Sequence, residues 1–307
     1  MKKALLIHPE ELSRDWVDNV KRVGCNVLAL HPAGGEQAHL FLEQMLENME
    51  KQKFKDLIDY ATDLGIEIEY EMHAARYFLS DSLFLEHPEY FRLNGEGKRV
   101  ADFNFCVSNE EALGYVAEKA LELAKRLYKS SHKFYFWLDD VRESGCRCKK
   151  CREFSPSEQQ LIVMNRIIER LREEIPDARL AYLAYHDCAK PPVKVKPKEG
   201  VFLEYAPIER WYKGSTVCME DLNENILALL ECFGKKDARV LEYWFDNSLF
   251  SGWKKPPVKF TPDNEAIKSD IAVYREYGFE EVASFACYLG ADYEELYGKP
   301  DISAFCE

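Results

Sequence analysis

Short apolar runs alternate with amphipathic stretches along the whole of this 307-residue chain. Read by length and by the breakers that bound them, the runs predict strands over Ala4–His8, Cys25–His31, Ile66–His73, Phe134–Asp140, Arg179–Asp187, Val201–Tyr205, Arg239–Asp246 and Val282–Leu289. Helical periodicity predicts helices over Arg14–Val23, Glu36–Leu64, Ser157–Glu174, Leu222–Phe233 and Asn264–Tyr277, several closed by a glycine such as Gly24, Gly65, Gly234 or Gly278. Ser108 with Glu111 three residues on reads as a capping box opening a helix to about Tyr128, and Asp292–Phe305 supplies one more short helix. Eight strands, most followed by a helix and with no low-complexity linker between them, predict an α/β fold of one domain over residues 1–307. The architecture is a single (β/α)8 TIM barrel, with a long loop after strand 3 and a Cys-rich loop after strand 4.

A barrel of this kind works at the C-terminal ends of its strands, so the residues there are the candidates for chemistry. They are His8, His31, His73, Asp139 with Asp140, His186 with Asp187, Glu204 with Tyr205, Asp246 with Asn247, and Tyr288. Four of the chain's seven histidines fall in this set. The segment from Ala74 to about Asn109 is a long excursion, and loops of that length in a compact domain are usually functional.

The fourth run, Phe134-Tyr135-Phe136-Trp137-Leu138, ends in Asp139-Asp140. Successive strand residues point to opposite faces, so a straight strand sends only one carboxylate into the mouth, and both reach one ligand only if the chain turns. Read functionally, one is a general acid with a raised pKa and its ionised neighbour orients substrate. Read structurally, one caps the following turn and the other pairs with Arg142 or a lysine. Glu204-Tyr205 and Glu242-Tyr243-Trp244-Phe245-Asp246-Asn247 add carboxylates to aromatics, the mixture that binds sugars: C–H faces stack on rings and hydroxyls bond to carboxylates. Trp137, Tyr185, Trp211, Trp244 and Trp253 are candidate platforms, and His73 and His186 would face the pocket. Any one of these aromatics, taken alone, is more often core than platform.

Cys146-x-Cys148-x2-Cys151 sits among Arg147, Lys149, Lys150 and Arg152, whose charges offset thiolates. Three thiols need a fourth partner for structural zinc; Cys188 is the nearest candidate across the barrel, with a carboxylate or water as alternatives, and a reduced, metal-free loop is the plain reading. No organic cofactor is indicated.

Composition narrows the partners. A net charge of -13 and a pI near 5.2 argue against nucleic acid and anionic membranes, and leave carbohydrate as the easier partner. Met1-Lys2-Lys3 leads straight into Ala4-Leu5-Leu6-Ile7, too short for a signal-peptide core, and no run is long enough to span a bilayer. A cytoplasmic protein is expected, or an exported one whose leader has been removed. The ten cysteines, without regular spacing, suit reduced thiols.

Taken in order, Glu71-x-His73-Ala74, His87-Pro88-Glu89-Tyr90-Phe91, Phe105-Cys106-Val107-Ser108-Asn109, the strand ending in Asp, and the cysteine cluster resemble a family of carbohydrate-active barrels of largely unassigned function, related to β-hexosaminidases and α-glucuronidases. The likeness covers roughly residues 66–190 and implies a glycoside-hydrolase-like domain. The Asp-Asp pair is similar to that of O-GlcNAcase-type hydrolases and to the Asp-Glu pair of β-hexosaminidases. Carried over, it makes Asp139 the residue orienting the substrate's 2-acetamido nucleophile and Asp140 the acid/base, although Asp stands where the β-hexosaminidases have Glu.

The resulting expectation is a retaining, substrate-assisted glycoside hydrolase acting on a β-linked N-acetylhexosamine or related sugar. If the ordinary two-carboxylate geometry applied instead, Asp140 would be the acid and Glu204 or Glu242 its partner. The competing readings are a non-catalytic glycan-binding barrel and a metal-dependent sugar isomerase or hydrolase using His8, His31, His73 and His186. The histidines lack H-x-H or H-E-x-x-H spacing, which weighs against the latter.

Overall fold

Each apolar run becomes a strand because alternate residues have a place inside a barrel and the rest a place under its helices. A computed structural model describes residues 1–127, 131–212 and 220–306. Its strands are β1 (Lys2–Ile7), β2 (Val27–Leu30), β3 (Glu67–His73), β4 (Lys133–Trp137), β5 (Arg179–Ala184), β6 (Val201–Tyr205), β7 (Arg239–Glu242) and β8 (Glu281–Phe285). All pair in parallel and close in chain order, with β8 returning to β1. This is the predicted (β/α)8 barrel.

The helices are α1 (Arg14–Arg22), α2 (Ala38–Met49), α3 (Gln52–Asp63), α4 (Ala75–Phe78), α5 (Glu110–Arg126), α6 (Pro156–Glu174), α7 (Glu209–Tyr212), α8 (Glu220–Phe233), α9 (Asn247–Phe250), α10 (Asn264–Tyr277) and α11 (Ala291–Tyr297). The single helix predicted over Glu36–Leu64 is two, broken where Lys51 adopts extended backbone. A straight helix of that length would run about 42 Å, far more than a short barrel strand can cover. At the start of α5 the cap is Asn109, whose side chain accepts from Ala112 N–H, and not Ser108; the predicted end at Tyr128 lies outside the described residues. No helix among the described residues is long and apolar enough to cross a membrane.

Alternation sorts the core into two layers. Leu5, Ile7, Leu28, Leu30, Phe134, Phe136, Leu180, Tyr182 and Val240 face the helices, while Ala4, Leu6, Val27, Ala29, Tyr135, Trp137, Leu183, Phe202, Leu241 and Phe285 fill the interior. Below the mouth the interior is ionic. The fully buried Arg239 of β7 lies within ion-pair distance of Glu69 (2.9 Å), Glu71 (2.7 Å), Glu204 (3.0 Å) and Glu281 (3.1 Å), and its guanidinium lies over the ring of Tyr135. Lys133 adds a second cation 3.3 Å from Glu281.

Candidate active site

Every strand ends earlier than its apolar run, apart from β3 and β6, and this sets what reaches the mouth. On β1, β2 and β3 the inward parity runs on to His8, His31 and His73, which form a row with ring centroids 6.0 and 6.1 Å apart. Each places Nδ1 on a backbone carbonyl: His8 on His31 (2.9 Å), His31 on Glu71 (2.9 Å) and His73 on Leu138 (2.6 Å). A carbonyl only accepts, so Nδ1 carries the proton and Nε2 is the atom left for a ligand. Burial, reinforced by His8 and His73, holds His31 well below the usual histidine range, so it is neutral.

After Trp137 the chain turns. Val141 N–H donates to Asp139 C=O (2.8 Å), a tight three-residue turn centred on Asp140, and the two carboxylates part. Asp140 enters the mouth, where Tyr185 O–H donates to its Oδ1 (3.0 Å) and His186 Nε2 lies 4.0 Å away. His186 in turn sets Nδ1 3.0 Å from Glu209 on α7, and Glu209 pairs with Arg142. Asp139 is turned the other way: Oδ1 accepts from Arg76 N–H (3.2 Å) and Oδ2 from Asn104 N–H (2.6 Å), and burial raises its pKa. It borders a separate small cavity of about 60 Å³.

The mouth itself is a cavity of about 560 Å³. Asp140 and Asp246 supply its carboxylates, His8, His31, His73 and His186 its imidazoles, and Trp137, Tyr185, Tyr243, Trp253, Phe285 and Tyr288 its rings. Asp246 follows β7 and caps α9: its Oδ1 accepts from Ser248 and Leu249 N–H (3.1 and 3.3 Å), and burial raises its pKa. Gly34 closes the wall against Asp140, where a Cβ would stand 3.1 Å from Asp140 Oδ2 and 3.2 Å from His73 Cδ2.

Of the residues expected to bind substrate, His73, Trp137, Tyr185, His186 and Asp246 line this cavity, and five others do not. Glu204 points inward but one level too deep, accepting from Trp137 Nε1 (2.7 Å) and pairing with Arg239. Tyr205 and Glu242 have outward parity; Glu242 is fully buried, 2.6 Å from Arg210 and 2.5 Å from Tyr274 O–H. Trp244 packs under the helices with Nε1 on Asp270 (3.0 Å), and Asn247 is buried, donating to the Val258 and Tyr288 carbonyls. The side chain of Trp211 lies outside the described part. Tyr243, part of the aromatic and carboxylate stretch singled out in the sequence, does line the cavity, whereas Gly34 was not foreseen, because it has no side chain to mark it.

The cysteine loop also departs from expectation. The thiol beside Cys146, Cys148 and Cys151 is Cys106, from the long excursion after β3, and not Cys188. Cys188 sits in a short turn after β5 against the small cavity beside Asp139, and burial pushes its thiol up to about 12. Among the described residues this cysteine cluster is the one group of potential ligands close enough to hold a metal ion; the mouth histidines do not form one.

A family described as a domain of unknown function, DUF4838, matches residues 38–296. The chain belongs to that family. No curated protein matches it. Solved structures similar to it include a β-galactosidase from the psychrophilic Marinomonas ef1 (12% identity, TM-score 0.55), covering 92% of this chain and 54% of that one. Others are the GH20 catalytic modules of a pneumococcal exo-β-D-N-acetylglucosaminidase (12%, 0.54; 99% and 83%) and an O-GlcNAc hydrolase of Thermobaculum terrenum (12%, 0.52; 93% and 55%). The chain thus spans about half the length of the first and third. The family resemblance carried by residues 66–190 is borne out: a barrel family of unknown function shares its fold with glycoside hydrolases.

Chemically, the DUF4838 barrel offers an aromatic-walled pocket with two carboxylates that follow different strands and a row of imidazoles whose Nε2 atoms are left for a ligand. Among the described residues, five of the six non-glycine residues with left-handed backbone, Asn104, Glu143, His186, Trp253 and Tyr288, sit on the loops around it. Such strain concentrates where function demands it.

Proposed function

We propose that this protein is a glycoside hydrolase in which Asp140 is the acid/base and Asp246 the second carboxylate. The observation that carries the reading is that these two, from the ends of β4 and β7, share one ring-lined cavity. Glu204 and Glu242 are excluded as partners because both are locked in buried ion pairs away from it. Asp140 protonates the glycosidic oxygen as the bond breaks; Asp246 acts at the anomeric carbon, directly or through water. His186 and Glu209 offer a relay that returns the proton.

The substrate proposed is a β-linked hexose or N-acetylhexosamine, in keeping with the β-galactosidase, exo-β-D-N-acetylglucosaminidase and O-GlcNAc hydrolase among the similar folds. The acetamido-orienting role proposed for Asp139 by resemblance is replaced, because both of its oxygens are held by backbone N–H groups. The cysteine cluster, with the zinc expected for it, is structural in this reading, since it lies outside the cavity.

The test is turnover of a panel of α- and β-linked disaccharides and alkyl glycosides, including an N-acetyl-β-glucosaminide, whose alkoxide leaving groups depend on a proton donor. Asp140→Asn is expected to lower kcat about 10²- to 10⁴-fold, the usual worth of a general acid. Asp246→Asn should be crippled on every substrate, whereas a substrate-assisted route would spare it on the N-acetyl sugar alone. Undiminished turnover by Asp140→Asn sinks the assignment, and sugar binding with no turnover by wild type sinks the enzyme.

A further inference from the structure

Four thiols meet where the excursion after β3 lies against the loop after β4, although Cys106 is 40 residues from Cys146 in the chain. Arg147 N–H donates to Leu93 C=O (2.8 Å) across the two segments, and within the excursion Cys106 N–H donates to Tyr90 C=O (2.8 Å). All four sulfurs lie within 4.8 Å of one another, with Cys106 Sγ 3.8 Å from Cys148 and 3.9 Å from Cys151. Thiolates bound at about 2.3 Å to one tetrahedral zinc stand about 3.8 Å apart, which is the spacing found. A disulfide would bring one pair to about 2.0 Å, and none is formed.

The surroundings suit an anionic centre. Leu93 N–H is directed at Cys146 Sγ (3.3 Å), and Arg99 Nη1 lies 3.9 Å from the same sulfur. The Ser108 hydroxyl is 3.4 Å from Cys106, 3.4 Å from Cys148 and 3.3 Å from Cys151. Such donors and a nearby cation offset the charge that four thiolates leave on a divalent ion.

We propose that Cys106, Cys146, Cys148 and Cys151 bind one zinc ion in a closed, four-thiolate site that locks the two loops aiming Asp140. Uptake replaces the thiol protons, so up to four protons leave for each ion bound. The lock reaches Asp140 through residues two places before the ligands. Asn104 precedes Cys106 and Ser144 precedes Cys146, and Asn104 Nδ2 donates to Ser144 Oγ (2.7 Å). Asn104 also grips Asp139 twice, donating its N–H to Oδ2 and accepting the Asp139 N–H on Oδ1 (3.0 Å). Asp139 held in this way leaves Asp140 facing the mouth. The metal site stands whether or not the protein cleaves glycosides, because its test reads metal and not turnover.

The full chain, purified reduced and without chelator, should carry one zinc by elemental analysis, and zinc-edge X-ray absorption should count four sulfurs. Cobalt exchanged into the site should show thiolate charge-transfer and tetrahedral d–d bands. Cys106→Ser should lose the ion or its fourth sulfur, and Cys188→Ser should keep both. Should Cys106→Ser fail to fold, the sulfur count on wild type decides alone. Metal-free wild type with four titratable thiols, a three-sulfur shell, iron at the same stoichiometry, or loss of the ion in Cys188→Ser would overturn the proposal.

Discussion

Asp140 owes its direction partly to a neighbour without a side chain. Gly34 has no left-handed backbone requirement, so alanine fits its conformation, but the added methyl would press on Asp140 Oδ2 and His73 Cδ2 at 3.1 and 3.2 Å. Gly34→Ala is therefore expected to keep its melting temperature while losing about tenfold in kcat, the order of penalty for displacing a catalytic group by a fraction of an ångström. A parallel melt and glycosidase assay checks it. Unchanged kcat would show that the carboxylate adapts or that it is not the working group. At this scale the sequence was a partial guide. It marked Asp140, His73, Tyr185, His186 and Asp246 by residue type and strand position, but a glycine that makes room carries no such mark.

The turn after β4 decides which aspartate faces the mouth, and Asn104 holds that turn from outside. Asn104 has φ of 48°, tolerable for asparagine, and makes side-chain bonds to Asp139 and Ser144. Asn104→Ala loses both bonds and strains the backbone, so a cost of about 1–3 kcal/mol is expected in denaturant melts. Asn104→Gly should recover the backbone share and not the bonds, falling between alanine and wild type. Equal stability of the three would remove the clamp from the account. The eight strands were legible because alternation and breakers are local signals. Depth and most strand ends were not: β6 ends where its run was read to end, yet barrel stagger sets Glu204 a level below the mouth, and in β7, shorter than its run, parity sends Glu242 outward. Cys106 was missed for a related reason. Its partnership with Cys146 crosses two loops, and no periodicity spans them.

Across the whole molecule, the barrel is built on an imbalance of buried charge. Glu69, Glu71, Glu204 and Glu281 face Arg239 and Lys133, four potential anions against two cations. Arg239 and Lys133 hold Glu281 below the usual carboxylate range, while burial, with neighbouring carboxylates adding to it, pushes Glu69 and Glu71 up to about 8 and Glu204 up to about 7. In the unfolded chain these groups titrate near 4.5, so between that pH and about 8 the folded state binds the more protons. Their contribution is then fully present below about pH 4.5 and is lost as pH rises through 7 to 8. The melting temperature should fall from pH 5 to pH 8, and Glu71→Gln, which cannot ionise, should flatten that slope. The cation has the opposite signature. Arg239→Met strands the carboxylates, a loss of about 3–5 kcal/mol at neutral pH, and the deficit should shrink at pH 5 as they take up protons. Melts of the three proteins across this range read both effects at once. A deficit for Arg239→Met that stayed constant with pH would mean that the layer does not share its protons as its geometry requires. Because Trp137 rests on Glu204 through its indole N–H, the floor of the mouth cavity would feel the same titration.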